Sequence, residues 1–554
     1  MESRENLELA RQWLDRCLAL HDNCINPAQP SPPLPTRIID VGVEGCASVI
    51  KLVSSAGRKG PYITLSHVWG RQLNLITTTT SFDEWSNRIA VESLPRTFQD
   101  AVSIARHLSI RYVWIDSLCI IQDSSSDWST ESAKMGDYYM NSLFTIAAVS
   151  ASDGSGGCFL QRDPLKVTPC PIGIGLPVSD ISVGRAGTAF GFFRPTFGSD
   201  PSDSTDGFHR PPLWQRAWVV QERLLSTRLL QFSDVQMSWA CRSENASERV
   251  PEGSSRYVGT TNEDRILRPV LVGLEDSPPH AGKGRGDDQT KDIPPAGHAT
   301  TKNTEVYDAW YDLVMLYGKC NLTVASDIFP AISGIAKAIS HASGDKYVAG
   351  LWKHDMHRGL LWTAPDSTAS RRDLRHTRAP SWSWASLPAT CTFYVRQLVQ
   401  HGADTSCMEM EDFDMAVEEE NPFGIVSSGR LKIRGPLKRA HPYDAECRGE
   451  EVFDNIRDAQ PRNRETLFDL EQRRGVGHYN PDNLDRRYLS EVWCAPVMTE
   501  VWESPGDKQT QIHGRCLALI PMFAGSNVYM RVGAAWVKDF SWFRDCEPTS
   551  YYII

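Results

Sequence analysis

The sequence predicts an α/β fold, a parallel sheet with flanking helices, joined to a mixed α+β, β-rich carboxyl-terminal region. Three observations carry that prediction. Short apolar runs from Tyr62 to Leu65, Tyr112 to Ile115 and Leu143 to Val149 suit strands buried on both faces. Between them lie two stretches with helical spacing, and such alternation builds right-handed crossover units over a parallel sheet. The first two runs also change character at their carboxyl ends, into Ser66-His67-Val68-Trp69-Gly70 and Asp116, the place where open parallel sheets collect ligands. If these strands are neighbours, Ser66 and Asp116 share one crevice.

A length of 554 residues exceeds what one hydrophobic core organises, so two or three domains are expected. The net charge of -10 excludes a broad field attracting nucleic acid, and no basic run or nucleic-acid motif suggests a local one. No apolar span of about 20 residues and no secretory core occurs, which predicts a soluble, cytoplasmic protein without a membrane span. The 14 cysteines include no CxxC pair, in keeping with reduced thiols. Cys17, His21 and Cys24 offer three metal ligands with no clear fourth. Since Trp13, Leu14, Cys17, Leu18 and His21 also read as one face of a helix, no metal is expected.

In chain order, residues 1–36 read as a helix, over residues 6–23, followed by a proline-rich connector from Pro27 to Pro35. Arg37 to Val43 and Ala47 to Val53 suit a hairpin abutting the sheet. Pro95 stands where a helix can begin, and Phe98, Ala101, Val102, Ala105 and Leu108 give that helix an apolar stripe. Asp127 to Asn141 reads as the next helix, with Trp128, Glu131, Met135 and Tyr138 at helical spacing. The glycine-rich run from Asp153 to Gly157 opens no helix and lacks a following Lys-Ser or Lys-Thr, so it is not a phosphate loop. Leu213 to Ser226 is expected to be one helix after Pro212, and Arg228 to Phe232 a strand. Residues 270–304, rich in Pro, Gly, Lys, Asp and Thr, are expected to form a flexible insert. Residues 305–554 then form a helical and β-rich region, with helices at Val306 to Tyr317 and Ile328 to Ser340. Its short β-like runs include Leu431 to Ile433, Glu491 to Cys494, Cys516 to Ile520 and Val528 to Val537, and the charged stretch 446–486 is expected at the surface.

Four motifs stand in order: Leu65-Ser66-His67-Val68-Trp69-Gly70; Trp114-Ile115-Asp116-Ser117-Leu118-Cys119-Ile120-Ile121-Gln122-Asp123; Met135 with Tyr138; and Arg216-Ala217-Trp218-Val219-Val220-Gln221-Glu222. Together they resemble the heterokaryon incompatibility (HET) domain of filamentous fungi, here assigned to residues 37–260. Ala349-Gly350-Leu351-Trp352 and the Ser-Trp-Ser-Trp run from Ser381 are also familiar around such domains. The resemblance implies non-self recognition or regulated cell death, an unidentified protein trigger, and a homo-oligomer as one way of acting. It further implies a TIR-like, flavodoxin-like sheet, with NAD as a substrate rather than a bound cofactor. On that likeness Glu222 stands as catalytic carboxylate and Trp218 as the tryptophan four residues before it. Val219 replaces the cysteine usual after that tryptophan in TIR enzymes, and His67 stands where HET domains often have tyrosine.

Cleaving the nicotinamide–ribose bond builds oxocarbenium-like charge, which a carboxylate near the ribose stabilises. Glu222 is the candidate, with Ser66, Trp69, Asp116, Arg216 and Trp218 binding substrate and Cys119, Gln122, Asp123 and Gln221 supporting them. Plainer roles stand beside these. Trp218 can be core, Glu222 can pair with Arg216 or Arg223, Asp116 can cap the next turn, and Cys119 can be an inert thiol rather than a nucleophile with His67 as its base. A non-catalytic interaction module of the same family is the alternative function.

Overall fold

Ile63–Ser66 is buried along its whole length and pairs in parallel with Tyr112–Trp114 on one side and Thr145–Ala148 on the other. The run of apolar and β-branched side chains therefore does what an all-buried strand must, with a neighbour on both edges. This computed structural model describes residues 4–24, 31–42, 49–70, 75–161, 170–174, 189–193, 210–254, 298–364, 378–387, 391–393, 405–443, 465–469, 474–482, 489, 491–503 and 510–554. The chain divides into two units, Met1–Arg268 and Pro269–Ile554.

In the first unit the strands are β1 (Arg37–Asp40), β2 (Val49–Ser54), β3 (Ile63–Ser66), β4 (Ile89–Ala90), β5 (Tyr112–Trp114), β6 (Thr145–Ala148), the separate hairpin β7 (Cys170–Ile174) and β8 (Ala189–Phe193), then β9 (Arg228–Phe232), β10 (Met237–Cys241), β11 (Asn245–Ser247) and β12 (Val250–Ser254). The ten-stranded sheet runs β12-β11-β10-β9-β6-β3-β5-β1-β2-β4. Only its centre, β9-β6-β3-β5, is parallel. The expected parallel sheet is thus a mixed one. The Arg37–Ser54 hairpin joins antiparallel at β5, and β10 to β12 extend the other side as an antiparallel meander. Taken in chain order, the parallel strands lie second, first, third, fourth, so the crossovers leave β3 in opposite directions and a crevice opens between β3 and β6.

The helices are α1 (Arg4–Leu20), α2 (Phe82–Asn87), α3 (Arg96–His107), α4 (Asp116–Cys119), α5 (Ser125–Ser132), α6 (Met135–Asn141) and α7 (Val219–Leu225). Helix α3 starts after Pro95, buries the predicted stripe and carries Arg106 in its last turn, a cation that complements its carboxyl-terminal dipole. The single helix expected over Asp127 to Asn141 is instead α5 and α6, and Glu131 is the physical reason. Its buried carboxylate accepts a 2.8 Å hydrogen bond from the Tyr138 hydroxyl, whereas residues seven apart on a straight helix stand about 10 Å apart along the axis. The helix expected over Leu213 to Ser226 is likewise broken. A 3-10 turn at Pro212–Gln215 gives way to extended Arg216, and Trp218 is the N-cap of α7.

In the second unit, six strands close into a ring: Lys438–Tyr443, Glu465–Asp469, Arg474–Pro481, Val528–Val537, Thr510–Pro521 and Val492–Glu503, the last pairing back with the first. Closure removes free edges, and Leu467, Val476, Tyr479, Cys494, Cys516 and Trp542 belong to the core cluster formed there. Two strands of this ring come from the stretch expected at the surface. The first turns Leu467 and Asp469 inward and the second Val476 and Tyr479. The insert expected over 270–304 lies outside the described residues up to 297, and its end belongs to the helix His298–Tyr317. The next helix begins at Ser333 rather than Ile328, because Pro330 interrupts with a 3-10 turn.

Gly350, at φ +91°, turns the chain so that its carbonyl accepts hydrogen bonds from the indoles of Trp310 and Trp384, each at 2.9 Å. The Ser-Trp-Ser-Trp run is held to the same turn, with Ser383 donating to the Ala349 carbonyl at 2.7 Å. A Cβ at Gly350 would collide with the Trp384 indole and sit at an unfavourable φ. Gly350→Ala is expected to cost about 2–4 kcal/mol from strain and overpacking, read as a lowered thermal midpoint of the full chain.

Candidate functional site

The crevice is assembled first by hydroxyls. Thr64 on β3 meets Thr145 on β6 at 2.7 Å, Thr145 meets Ser226 at 2.6 Å, and Ser226 donates to the Glu222 carbonyl at 2.5 Å. This buried chain ties the end of α7 to the two central strands. It sets Glu222 over the carboxyl end of β3, where Ser66 is the last residue.

Asp116 follows β5, adjacent to β3. One carboxylate oxygen accepts from the Ser117 amide at 2.7 Å and the other from the Trp69 indole at 2.8 Å. The residue therefore both caps its own turn and fixes the aromatic ring that follows β3. His67 Nδ1 stands 3.7 Å from the same carboxylate. Burial pushes the His67 imidazole down to about 4; Asp116 opposes that shift and Arg216 adds to it, which leaves the ring neutral at physiological pH.

Glu222 is 1% exposed. Its carboxyl is pushed up to about 7, chiefly by burial, against the opposing Arg216 guanidinium; the Asp116 charge raises it further, and the Ser66 and Tyr139 hydroxyls favour the ionised form. Yet Glu222 Oε2 and Ser66 Oγ each lack a hydrogen bond of normal geometry. Both statements hold when the hydroxyl is close enough to influence the carboxyl but not aligned with it. The result is a buried acid with one oxygen lacking a well-formed hydrogen bond, at the protonation balance useful for general acid–base work.

Arg216 leaves the helical path and donates to the His67 carbonyl, which links the last motif to the first. Arg223 lies instead over the Trp214 ring, at 5.1 Å. Trp218 is half-buried and meets Trp128 edge-on, with centroids 6.2 Å apart. Gln221 is buried beside Glu222 in α7. Gln122 donates to the carbonyls of Asp116 and Ile120, at 3.3 and 3.1 Å, and so serves the backbone of the turn. Asp123 is exposed and accepts from the amide and hydroxyl of Thr79. Cys119 is fully buried and its thiol is pushed up to about 12 by burial, an environment for an inert thiol rather than a nucleophile.

A small, partly open pocket lies beside this cluster, lined by His67, Trp69, Ile76, Phe98, Ser117 and Gly154 among others. Its walls are largely apolar, and His67 packs edge-on against Phe98 at 4.9 Å. Ser66, Asp116, Arg216 and Glu222 thus converge, Trp69 connects them to the pocket, and Asp123 stands apart. Tyr139 and the hydroxyl chain were not legible in the sequence; the one signal was the paired tyrosines at the end of a helical stretch.

No curated protein and no solved structure matches the chain. Residues 62–222 match the family model described as heterokaryon incompatibility protein (HET). That span starts just before β3 and ends on Glu222, and it encloses every candidate side chain. This match supports reading residues 62–222 as a heterokaryon incompatibility (HET) domain, and with it a heterokaryon incompatibility-type function.

Proposed function

We propose that this HET domain acts in fungal non-self recognition or regulated cell death by hydrolysing NAD at the nicotinamide–ribose bond. The observation that carries the catalytic part is Glu222, a buried carboxyl pushed up to about 7 and gathered with Ser66, Tyr139 and Asp116 at the strand ends. The second-first-third-fourth order of the parallel strands begins the flavodoxin-like order, which supports a TIR-like reading. In this scheme the glycosidic bond breaks, nicotinamide leaves with the bonding electron pair, and water adds at the ribose carbon with loss of a proton. Glu222 stabilises the developing positive charge, and Asp116 orients a ribose hydroxyl. Trp218 is the stacking candidate for a substrate ring.

One observation favours the second reading, a non-catalytic signalling module: Glu222 is almost fully covered and does not line the neighbouring pocket. Catalysis therefore requires movement that uncovers the acid. The deciding experiment incubates the full chain with NAD, at concentrations that allow self-association, and measures nicotinamide. Glu222→Gln is expected to lower release by at least about 100-fold. Equal release by both proteins removes the assignment, and no release by the wild type favours the module.

A further inference from the structure

The amino-terminal segment carries a cluster independent of the crevice. We infer that Cys17, His21, Cys24 and Cys241 hold one zinc ion, in a Cys3His site that fastens α1 to the antiparallel wing of the sheet. The sequence offered three of these ligands without a fourth, and the fold supplies Cys241 from the end of β10.

The expected single apolar helix face does not account for the cluster. Trp13, Leu14 and Cys17 are buried, but Leu18 is 45% exposed, and α1 ends at Leu20, before His21. The chain then coils tightly, with the His21 amide donating to the Cys17 carbonyl at 3.2 Å and the Cys24 amide to the His21 carbonyl at 2.9 Å. This coil gathers two thiols and an imidazole, and all four donor atoms lie within 4.8 Å of one another. His21 Nδ1 is 3.4 Å from Cys241 Sγ, close to the roughly 3.5 Å between nitrogen and sulfur ligands of tetrahedral zinc.

The surroundings fit the same ion. His21 Nε2 faces the Glu244 carboxylate at 3.3 Å, an outer partner that places the proton on Nε2 and leaves Nδ1 to coordinate. The Glu244 amide points at Cys241 Sγ at 3.3 Å, and buried Arg228 directs Nε at Cys17 Sγ at 3.1 Å. Both donors favour thiolates. Three thiolates and a neutral imidazole on a divalent cation leave one net negative charge, which Arg228 offsets. The softness of three sulfurs and the tetrahedral donor number select zinc over magnesium or calcium. The anchoring role agrees with two further contacts between α1 and β12, from the Trp13 indole to the Pro251 carbonyl at 2.9 Å and from Arg16 to the same carbonyl at 3.2 Å.

The test is elemental analysis of the full chain, made without a polyhistidine tag and purified in reducing buffer free of chelator. One zinc per chain is expected, with near-complete loss in Cys241→Ser and Cys24→Ser. Should those variants fail to fold, cobalt-loaded wild type provides the second measurement, and thiolate-to-cobalt charge transfer with a tetrahedral spectrum is expected. Stripping the wild type with a strong chelator should lower its thermal midpoint by roughly 10 °C. Folded wild type without stoichiometric zinc overturns the inference, whether its cysteines are free thiols or a disulfide. Full zinc content in folded Cys241→Ser overturns the ligand assignment.

Discussion

Glu222→Gln is expected to stabilise the chain by up to about 3 kcal/mol near pH 8, with little effect near pH 4. The ordinary value for the group is 4.5 and the folded chain holds it at about 7. Between those values the folded state binds the proton more tightly than the unfolded state. The favourable contribution is complete below the unfolded value and is lost as pH rises through the folded one. Each unit of difference corresponds to about 1.4 kcal/mol, which gives the figure above. Glutamine keeps the shape without the charge, so thermal midpoints of wild type and variant should diverge as pH rises and then run parallel. A difference independent of pH would contradict the buried-acid assignment. A side chain that destabilises the fold at neutral pH is one that folding alone would not retain.

The second large effect lies in the second unit. Arg531 and Asp482 are both almost fully buried, joined at 2.9 Å from Nε. The same guanidinium donates to the carbonyls of Leu360 and Trp362, at 2.6 and 2.5 Å, and lies 3.4 Å from the Trp362 ring centroid. Burial opposes the cation, and Asp482 supports it. Asp482→Asn therefore leaves a positive charge without its counter-ion in the interior and is expected to cost about 3–5 kcal/mol. Replacing both, as Arg531→Met with Asp482→Leu, should cost less than the single change, although two carbonyls lose their donor. Urea midpoints of the three full-length proteins test the order. A double variant weaker than Asp482→Asn would mean that the pair stabilises the unit beyond its desolvation cost.

Local pattern made the central elements legible. The apolar runs became β3, β5, β6 and β9, and the stripe of α3 was buried as expected, because those features depend on neighbours in sequence. The nearness of Ser66 and Asp116 was legible for a related reason, since parallel strands bring their carboxyl ends to one side, whereas Glu222 lies in α7 and was singled out only by the family resemblance. What escaped was set by contacts distant along the chain. Glu131 divides a periodic stretch through its bond to Tyr138, and Arg216 leaves the helix to reach His67. Thr64, Thr145 and Ser226 form a relay that no spacing announces. Charge in the stretch 446–486 hid the inward side chains of two ring strands, since alternation over so few residues is easily masked.

Glu222 sits immediately before β9, the last strand of the parallel centre and the one at its margin. During synthesis the first three parallel strands can associate while the acid is still inside the ribosome. The hydroxyl relay then closes only when β9 docks, so the crevice matures in a late step that joins residues far apart along the chain. A nascent or prematurely terminated product lacking that strand consequently lacks the sheet neighbour against which the relay is completed.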